Sequence, residues 1–273
     1  MRSLASMQPL ASADEYRALV KDNKRRLGTV RTNCMLMPRA FAEPAADGRL
    51  AFATYDDGLL VRTDEGAYAT LYYYWREGAP LVRLQDNVPL YVEETHEPCD
   101  EHAAFLRDAG LVLQKRNVQY VLARDDWDGC ADDRVDGYAM ARCEDEALAA
   151  EVVALWERRL GLADIPLAHK EFLSRGDAVW CALSPSGELA GAIWWQDAGK
   201  TRLMRHIVVD ERHTRRGLAK TLLALCATDA WQTGMLKVST WISDANYASI
   251  ALHEGMGFCA TTRVVLQFVA EEE

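Results

Sequence analysis

One stretch of the sequence, from Ile207 to Leu223, constrains the fold of this chain more than any other. It begins with the apolar, β-branched run Ile207-Val208-Val209, which is typical of a buried strand. A basic turn and Gly217 follow, and from Leu218 onwards apolar residues recur at helical spacing. Free backbone N–H groups at the start of the helix, the helix dipole and the arginines of the turn favour an anion there. The stretch predicts a phosphate-binding site, and an ordinary strand–helix turn with solvated basic residues is the alternative.

The turn carries a short motif, Thr214-Arg215-Arg216-Gly217-Leu218-Ala219. It resembles the acyl-CoA-binding signature of the GNAT acetyltransferase superfamily, Q/R-x-x-G-x-G/A. Gly217 and Ala219 match this signature, and their small side chains let a phosphate approach the backbone closely. Thr214 departs from it, because the family has Gln or Arg there, which leaves the backbone amides as the contacts to the cofactor.

The resemblance implies acetyl-CoA as the acyl donor. Its pyrophosphate is expected on the backbone N–H groups of Arg215 to Lys220, in front of a splayed gap between the strand of Ile207 and the strand of Val238. In the family, a backbone N–H of the first strand polarises the thioester carbonyl, and Val208 or Val209 is the matching region. The predicted cofactor-binding residues are Ile207, Val208, Val209, Thr214, Arg215, Arg216, Gly217, Leu218, Ala219, Lys220 and Asn246.

The composition is that of a globular protein and argues against several partners. Of the 273 residues, 49% are hydrophobic and 26% are charged, so the chain can bury the core of one large domain or two small ones. The net charge of −10 argues against DNA or RNA, whose binding depends on a basic surface. No run approaches the roughly 20 apolar residues of a membrane span. We therefore expect no nucleic acid and no membrane among the partners.

The cysteines and the N-terminus indicate a cytoplasmic protein. The seven cysteines are scattered along the chain, and no pair has CxxC spacing. We expect reduced thiols rather than a disulfide framework or a zinc site, and we expect no metal ion. The first twenty residues lack the charged start and the apolar run of a signal peptide.

Hydrophobic periodicity divides the chain into two halves. The expected domains are residues 1–124 and 136–273, and the acidic, aperiodic stretch 125–135 is the expected linker. In the first half the patterns predict helices over 13–27 and 100–108, strands over 50–55, 81–84 and 90–94, a hairpin of 58–63 with 67–75, and a hairpin of 111–114 with 118–122.

The second half has a similar alternation of elements. The patterns predict strands over 138–142, 203–209 and 236–242, helices over 145–160, 167–173 and 248–254, a helix from Leu218 to Trp231, a hairpin of 179–183 with 189–195, and a closing hairpin of 258–261 with 264–269. This order resembles the GNAT order over about residues 136–270. The expected fold class is α/β (α+β), with two GNAT-like domains, each a mixed, mostly antiparallel sheet flanked by helices.

The halves also resemble each other. Residues 24–28 (KRRLG) resemble 157–161 (ERRLG), and 105–111 (FLRDAGL) resemble 252–258 (LHEGMGF). The first copy is shorter by about one helix and has no counterpart of Gly217 or Ala219. We interpret it as a degenerate copy without a cofactor site, and chance similarity of short segments is the alternative. Shaping the pocket, forming a homodimer and supporting the sheet stay open as its roles.

A second motif begins at Asn246 and resembles the late family motif N-x-x-A-x-x-L-Y-x-x-x-G-F. Asn246 stands where a family asparagine approaches the pantetheine–phosphate arm. His253 stands where the family often has the tyrosine that protonates the departing CoA thiolate. An imidazole can donate that proton, and a histidine without this role is an equal alternative.

A general base is sought on the strand of the first motif. His206 shares one face of that strand with Val208 and Asp210, and it is the candidate that takes a proton from the amine; a structural histidine is the alternative. Glu171 and Asp177 are candidates for the lining of the acceptor pocket, and solvated charges are the alternative for both.

The predicted activity is direct transfer of an acetyl group from acetyl-CoA to a primary amine of a small molecule or a peptide. Much of the rate is expected from positioning the two substrates together. A non-catalytic acyl-CoA-binding or regulatory module is the first alternative. Aminoacyl transfer from tRNA is the second, and the acidic net charge argues against it. The acceptor and the acyl chain are not determined by the sequence.

Overall fold

The computed structural model describes residues 7–34, 36, 38–84, 86–127, 129, 135–160 and 178–270. The chain forms two compact units. The N-terminal unit consists of 1–116 and 264–273, and the C-terminal unit of 117–263. These bounds differ from the predicted domains, because 117–124 belong to the C-terminal unit and the last ten residues to the N-terminal one. The predicted helix over 167–173, with Glu171, and the neighbouring Asp177 lie outside the described residues.

Up to residue 123 the described chain contains three α-helices and seven strands, besides a 3-10 helix (Pro38–Phe41). They are β1 (Gln8–Pro9), α1 (Ala13–Leu27), β2 (Val30–Thr32), α2 (Ala42–Ala46), β3 (Leu50–Tyr55), β4 (Gly58–Asp64), β5 (Ala69–Arg76), β6 (Leu90–Glu94), α3 (Asp100–Asp108) and β7 (Leu111–Ala123). The predicted strand over 81–84 is wrong. Leu81 and Leu84 are buried, but the N–H of Leu84 bonds to the carbonyl of Ala109 next to α3 rather than to a strand.

The sheet of the N-terminal unit runs β1–β3–β4–β5–β6, and residues 266–269 pair with the far edge of β6. Its pairs are antiparallel except β5 with β6, which is parallel. Helix α1 begins at Ser12, whose side chain accepts the N–H of Glu15, and it ends at Gly28 with φ of 76°. Its buried Tyr16 belongs to one hydrophobic cluster with Leu59 of β4 and Tyr74 of β5, so the helix covers one face of this sheet.

From residue 139 onwards the described chain contains three helices and six strands. They are β8 (Ala139–Arg142), α4 (Glu146–Arg159), β9 (Ala178–Leu183), β10 (Leu189–Ala198), β11 (Thr201–Val209), α5 (Leu218–Gln232), β12 (Lys237–Ser243), α6 (Tyr247–Glu254) and β13 (Cys259–Ala270).

The sheet of the C-terminal unit runs β7–β12–β11–β10–β9–β8. All its pairs are antiparallel except β11 with β12, which is parallel. One face packs on α5 through buried residues such as Leu222 and Ile193, and the other packs on α4 through residues such as Trp156 and Val208. Trp194 and Trp195 lie on opposite faces, and both are buried.

Two predicted hairpins are wrong, because β7 and β13 are each one continuous strand. Residues 117–123 of β7 pair with β12 in the C-terminal unit, and residues 266–269 of β13 pair with β6 in the N-terminal unit. The expected turns at Lys115-Arg116-Asn117 and around Thr262 contain none of the Asn-Gly, Asp-Gly or Gly-Gly pairs that tight two-residue hairpins favour. Neither strand therefore turns back where a hairpin was expected.

The two units have the same strand directions. In each, three consecutive antiparallel strands (β3–β4–β5 and β9–β10–β11) are followed by a parallel neighbour (β6 and β12) and then by an antiparallel one. They differ in the connection before the parallel neighbour. Helix α5 occupies this place in the C-terminal unit, whereas the described residues of 77–89 contain no helix.

Within the part of the chain that the structure describes, no helix is both long and apolar enough to cross a membrane.

Candidate active site

The central feature of the site is the separation of two parallel strands. β11 and β12 pair only through Thr201 with Lys237, Arg202 with Val238 and Leu203 with Ser239. β11 continues to Val209, and β12 stays paired with β7 along its whole length. The second half of β11 therefore diverges from β12, and the edge of β11 that faces β12 is left without a ladder. This is the splayed gap that the family resemblance implied.

A β-bulge lies where the strands begin to separate. Trp194 pairs with His206, but the next residue, Trp195, pairs with Met204, so Arg205 is the extra residue of β11. Such an insertion bends a strand and strengthens its twist. It also reverses the alternation of side chains, because Arg202 and Met204 face α5 before the bulge whereas Ile207 and Val209 contact that core after it. The bulge was not predicted from the sequence. Arg202 is charged although it is buried, so the apolar alternation before the bulge, and its reversal after it, cannot be recognised.

The backbone direction after the bulge identifies the amides that face the gap. The N–H of Asp210 donates to the carbonyl of Ala190 on the β10 side, at 2.9 Å. Because N–H groups alternate along a strand, those of Val208 and His206 also face β10, and those of Ile207 and Val209 face the gap. The predicted cofactor residue Val208 is thus directed away from the gap, and its side chain is buried against α4.

The loop after β11 presents backbone donors at the start of α5. Gly217 has φ of 87° and Arg215 has φ of 59°, and Arg215 is the one non-glycine with positive φ among the described residues. The N–H of Thr221 makes the first helical bond, to the carbonyl of Gly217 at 3.0 Å. The three N–H groups from Leu218 to Lys220 consequently have no partner within the helix, and they point to where an anion would lie.

The predicted side chains of this loop have different surroundings. Leu218 is 1% exposed and anchors the helix in the core, whereas Arg215, Arg216 and Lys220 are exposed. The hydroxyl of Thr214 donates to the carbonyl of Glu211 at 3.0 Å. Its proton is therefore used inside the loop.

Ion pairs hold the loop in place from α4. The carboxylate of Asp210 accepts the backbone N–H and the Nε–H of Arg212, both at 3.0 Å, and lies 3.5 Å from a guanidinium nitrogen of Arg158. The hydrogen bond from Arg212 lowers the pKa of Asp210, and the charges of both arginines act in the same direction. Glu211 pairs with Arg159. These ion pairs connect the loop to α4.

The second motif places its two marked residues differently. Asn246 is exposed and caps α6, since its Oδ1 accepts the N–H of Ser249 at 3.1 Å, which leaves its Nδ2 group as a donor. His253 is 0% exposed, and its Nδ1 lies 2.7 Å from the carbonyl of Ser249, so Nδ1 carries the proton. Burial lowers the pKa of His253, and the bond to Ser249 partly offsets this. The ring is therefore neutral, and it packs edge-on against Phe258.

His206 lies on the α4 face of the sheet. Its ring centroid is 5.4 Å from that of Trp156 and 5.4 Å from that of Trp194, and its side chain is partly exposed. It follows the bulge directly, beside the backbone groups that border the gap. The structure does not bring it together with His253, which belongs to α6 and the α5 face of the sheet.

A cavity of about 420 Å³ lies at the carboxyl end of β11 on the α4 side. Its lining combines acidic and basic groups from three elements, namely Glu151, Arg158, Glu188, Asp210 and Arg212. None of the predicted cofactor-binding residues contributes to it, and the ion pairs of Asp210 occupy its wall.

The fold and the loop together define a class of protein. A strand that leaves its parallel neighbour and is followed by a helix whose first amides have no partner within the helix is the geometry of this site. Residues 90–258 match the model of the Acetyltransferase (GNAT) family. This match covers more than half of the chain, and the chain belongs to that family. The predicted family and fold class are confirmed.

Solved structures with a similar fold cover nearly the whole chain. A protein from Drosophila is 15% identical and covers 96% of this chain and 97% of its own, with a TM-score of 0.59. A tandem GNAT protein from the clavulanic acid biosynthesis pathway, without AcCoA, is 17% identical over 82% and 84%, with a TM-score of 0.54. A GCN5-related N-acetyltransferase from Sphaerobacter thermophilus is 13% identical over 95% and 91%, with a TM-score of 0.57.

At these identities the likeness shows the fold alone. A comparison with curated proteins found no match. Family and fold together support an acyltransferase role in general.

Proposed function

We propose that this protein is an N-acetyltransferase that moves the acetyl group of acetyl-CoA directly to a primary amine. One observation carries the proposal: the gap-facing amides of Ile207 and Val209 and the amides of Leu218 to Lys220, which have no partner within the helix, stand at the two ends of one loop. An acyl-pantetheine arm can pair with the first set in the manner of an added strand. A pyrophosphate can bind the second set.

The cofactor is assigned to residues whose N–H groups are available as hydrogen-bond donors. The backbone of Arg215 to Lys220 holds the pyrophosphate, and the exposed side chains of Arg215, Arg216 and Lys220 add positive charge. The Nδ2 group of Asn246 donates to the phosphate–pantetheine arm. Thr214 contributes through its backbone.

The chemical step needs little from side chains. An amide of β11 donates to the thioester oxygen as negative charge develops there. The neutral amine attacks the carbonyl carbon, and the carbon–sulfur bond breaks. The base takes the ammonium proton, and the departing CoA thiolate takes a proton from solvent. We assign His206 as the base, because its partly exposed imidazole follows the bulge directly. Buried, neutral His253 suits the structural alternative, and we assign no proton transfer to it.

The N-terminal unit is proposed to be a diverged copy of the same fold. Its ladder has the same strand directions as the C-terminal unit, and its connection 77–89 has no described helix in the place of α5. It thus lacks the helix start that holds the anion. The acidic net charge supports a cationic amine, of a small molecule or a peptide, as the acceptor. The free cysteines support a cytoplasmic location.

Calorimetric titration of acetyl-CoA into the wild type, Ala219→Glu and Ala219→Gln tests cofactor binding. A glutamate in the first turn stabilises a helix, so Ala219→Glu is expected to stay folded. Its carboxylate repels the pyrophosphate, and like charges about 4 Å apart near a protein surface repel by about 4 kcal/mol before screening. We expect Ala219→Glu to bind at least about tenfold more weakly than Ala219→Gln. No binding to the wild type, or equal binding to both variants, would overturn the assigned site.

An amine screen tests catalysis separately. The wild type is incubated with acetyl-CoA and panels of polyamines, aminoglycosides, amino acids and peptides, and free CoA thiol is measured. Thiol release above the rate without acceptor, absent in Ala219→Glu, supports the transferase. Acetyl-CoA binding without turnover on any panel would indicate an acyl-CoA-binding module instead.

A further inference from the structure

A second cluster of reactive side chains lies in the N-terminal unit and shares no residue with the proposed transfer site. Glu94 ends β6, His102 lies in the first turn of α3, and His96 lies in the connection between them. Glu94 is 0% and His102 6% exposed, whereas His96 is exposed. One nitrogen or oxygen from each of the three lies within 4.8 Å of the others.

The buried part of the cluster is held by a tyrosine. The hydroxyl of Tyr73, on β5, donates to Oε1 of Glu94 at 2.5 Å. Its oxygen lies 2.8 Å from Nε2 of His102 and accepts the proton of that nitrogen, which a bound ion would displace. The Tyr73 side chain is itself fully buried. Both groups are thereby aimed at a common point, and hydroxyl donors of this kind orient metal-binding carboxylates in proteins.

One carboxylate oxygen of the cluster lacks a hydrogen-bond donor among the described residues. Oε2 of Glu94 is buried, and among the described residues no donor lies within hydrogen-bonding distance of it. Buried polar atoms are nearly always paired, and a buried carboxylate oxygen without a partner is costly. This oxygen is therefore available for a ligand that the protein chain does not supply, and that ligand has to be a hydrogen-bond donor or a cation.

The spacing and the atom types favour a cation. Oε1 of Glu94, which also accepts from Tyr73, and Nε2 of His102 are 3.3 Å apart. This is close to the separation of about 3.3 Å between two tetrahedral ligands that each lie about 2.0–2.1 Å from an ion, and the unpartnered Oε2 is a second oxygen through which the same carboxylate can bind it. Two imidazoles with one carboxylate form a donor set that suits Zn²⁺, whereas Mg²⁺ and Ca²⁺ prefer oxygen. His96 is exposed, and rotation of its side chain can bring a ring nitrogen within binding distance of the same ion.

We propose that Glu94, His96 and His102 form a Zn²⁺-binding site in the N-terminal unit, with Tyr73 as the residue that positions Glu94. The bound ion ties the end of β6 to the first turn of α3, and its fourth position is left to water or a small anion. This site does not depend on the proposed transferase function. It also reverses the sequence-based expectation of no metal ion, which considered only the cysteines.

Zinc binding is tested on the full-length, tag-free protein after treatment with EDTA and removal of the chelator. Zn²⁺ is titrated in competition with a chromogenic chelator, and bound metal is counted by elemental analysis. The wild type is expected to bind one Zn²⁺ per chain. His96→Gln is expected to bind about tenfold more weakly or worse, with the metal-free melting temperature unchanged because His96 is exposed.

Two further measurements separate this site from incidental binding. Exposed Cys99 is the nearest free thiol in sequence, so Cys99→Ser is the matched control and is expected to bind Zn²⁺ like the wild type. Zn²⁺ is also expected to raise the melting temperature of the wild type but not of His96→Gln, because a ligand of the folded state stabilises it. Absence of stoichiometric zinc, equal affinity in His96→Gln, or loss of binding in Cys99→Ser would each overturn the proposed donor set.

Discussion

The direction of the β11 amides predicts opposite effects for proline at two adjacent positions. Proline has no N–H to donate. Val209→Pro removes a donor that faces the gap and leaves the ladder with β10 intact, as on an edge strand. Val208→Pro removes a donor that faces β10 and leaves a buried carbonyl there unpaired. The first variant is therefore expected to bind acetyl-CoA more weakly, and the second is expected to have a lower free energy of unfolding.

The magnitudes follow from the value of one hydrogen bond. A typical bond contributes about 0.5–1.5 kcal/mol net, so Val209→Pro should bind acetyl-CoA about two- to twelvefold more weakly. A buried acceptor without a partner costs about 1–3 kcal/mol, and Val208→Pro should lose at least that much stability.

Calorimetry with acetyl-CoA and urea unfolding measure the two quantities on the same samples. Unchanged binding in Val209→Pro would show that the cofactor does not lie in the gap. A stability loss in Val209→Pro as large as that in Val208→Pro would refute the assigned amide directions.

Three further predictions concern single residues. Gly58→Ala should lower the free energy of unfolding by about 1–3 kcal/mol, because its new Cβ would lie 2.1 Å from a ring atom of Trp75; an unchanged urea midpoint would contradict this. His206→Gln should lower kcat/KM at least about tenfold and remove the acid limb of its pH profile while acetyl-CoA binding stays unchanged; a parallel loss of stability and activity would instead indicate a packing role. Burial lowers the pKa of His253, so the unfolded chain takes up its proton first and stability is lost as the pH falls below about 6.5. His253→Gln should flatten the urea-unfolding profile from about pH 7 downwards to about pH 5, and an unchanged slope would show that this ring does not titrate on unfolding.

Local patterns were sufficient for most helices and strands. Helix α1 could be predicted because Ser12 and Gly28 mark its ends and its apolar residues recur at helical spacing. The turn from β11 to α5 could be predicted because Gly217 adopts a positive φ that other residues avoid. These signals depend only on residues close in sequence, so they can be recognised before the rest of the fold is known.

Long-range pairing was not accessible in this way. The patterns predicted β7 and β13 as hairpins, since alternation alone cannot say which strand lies beside a given residue. Only the structure shows that 117–123 pair with β12 and that 266–269 pair with β6. The same limit applies to the bulge at Arg205, which exists only relative to the register of β10.

By itself, the sequence determined the family, the fold class and the turn from β11 to α5, because a short motif with Gly217 fixes the local backbone conformation. The tertiary structure decided which amides face the gap, that His253 is buried and neutral, and that Glu94, His96 and His102 meet. Burial, protonation and the meeting of side chains depend on which elements pack together. That packing is a property of the whole chain rather than of any one segment.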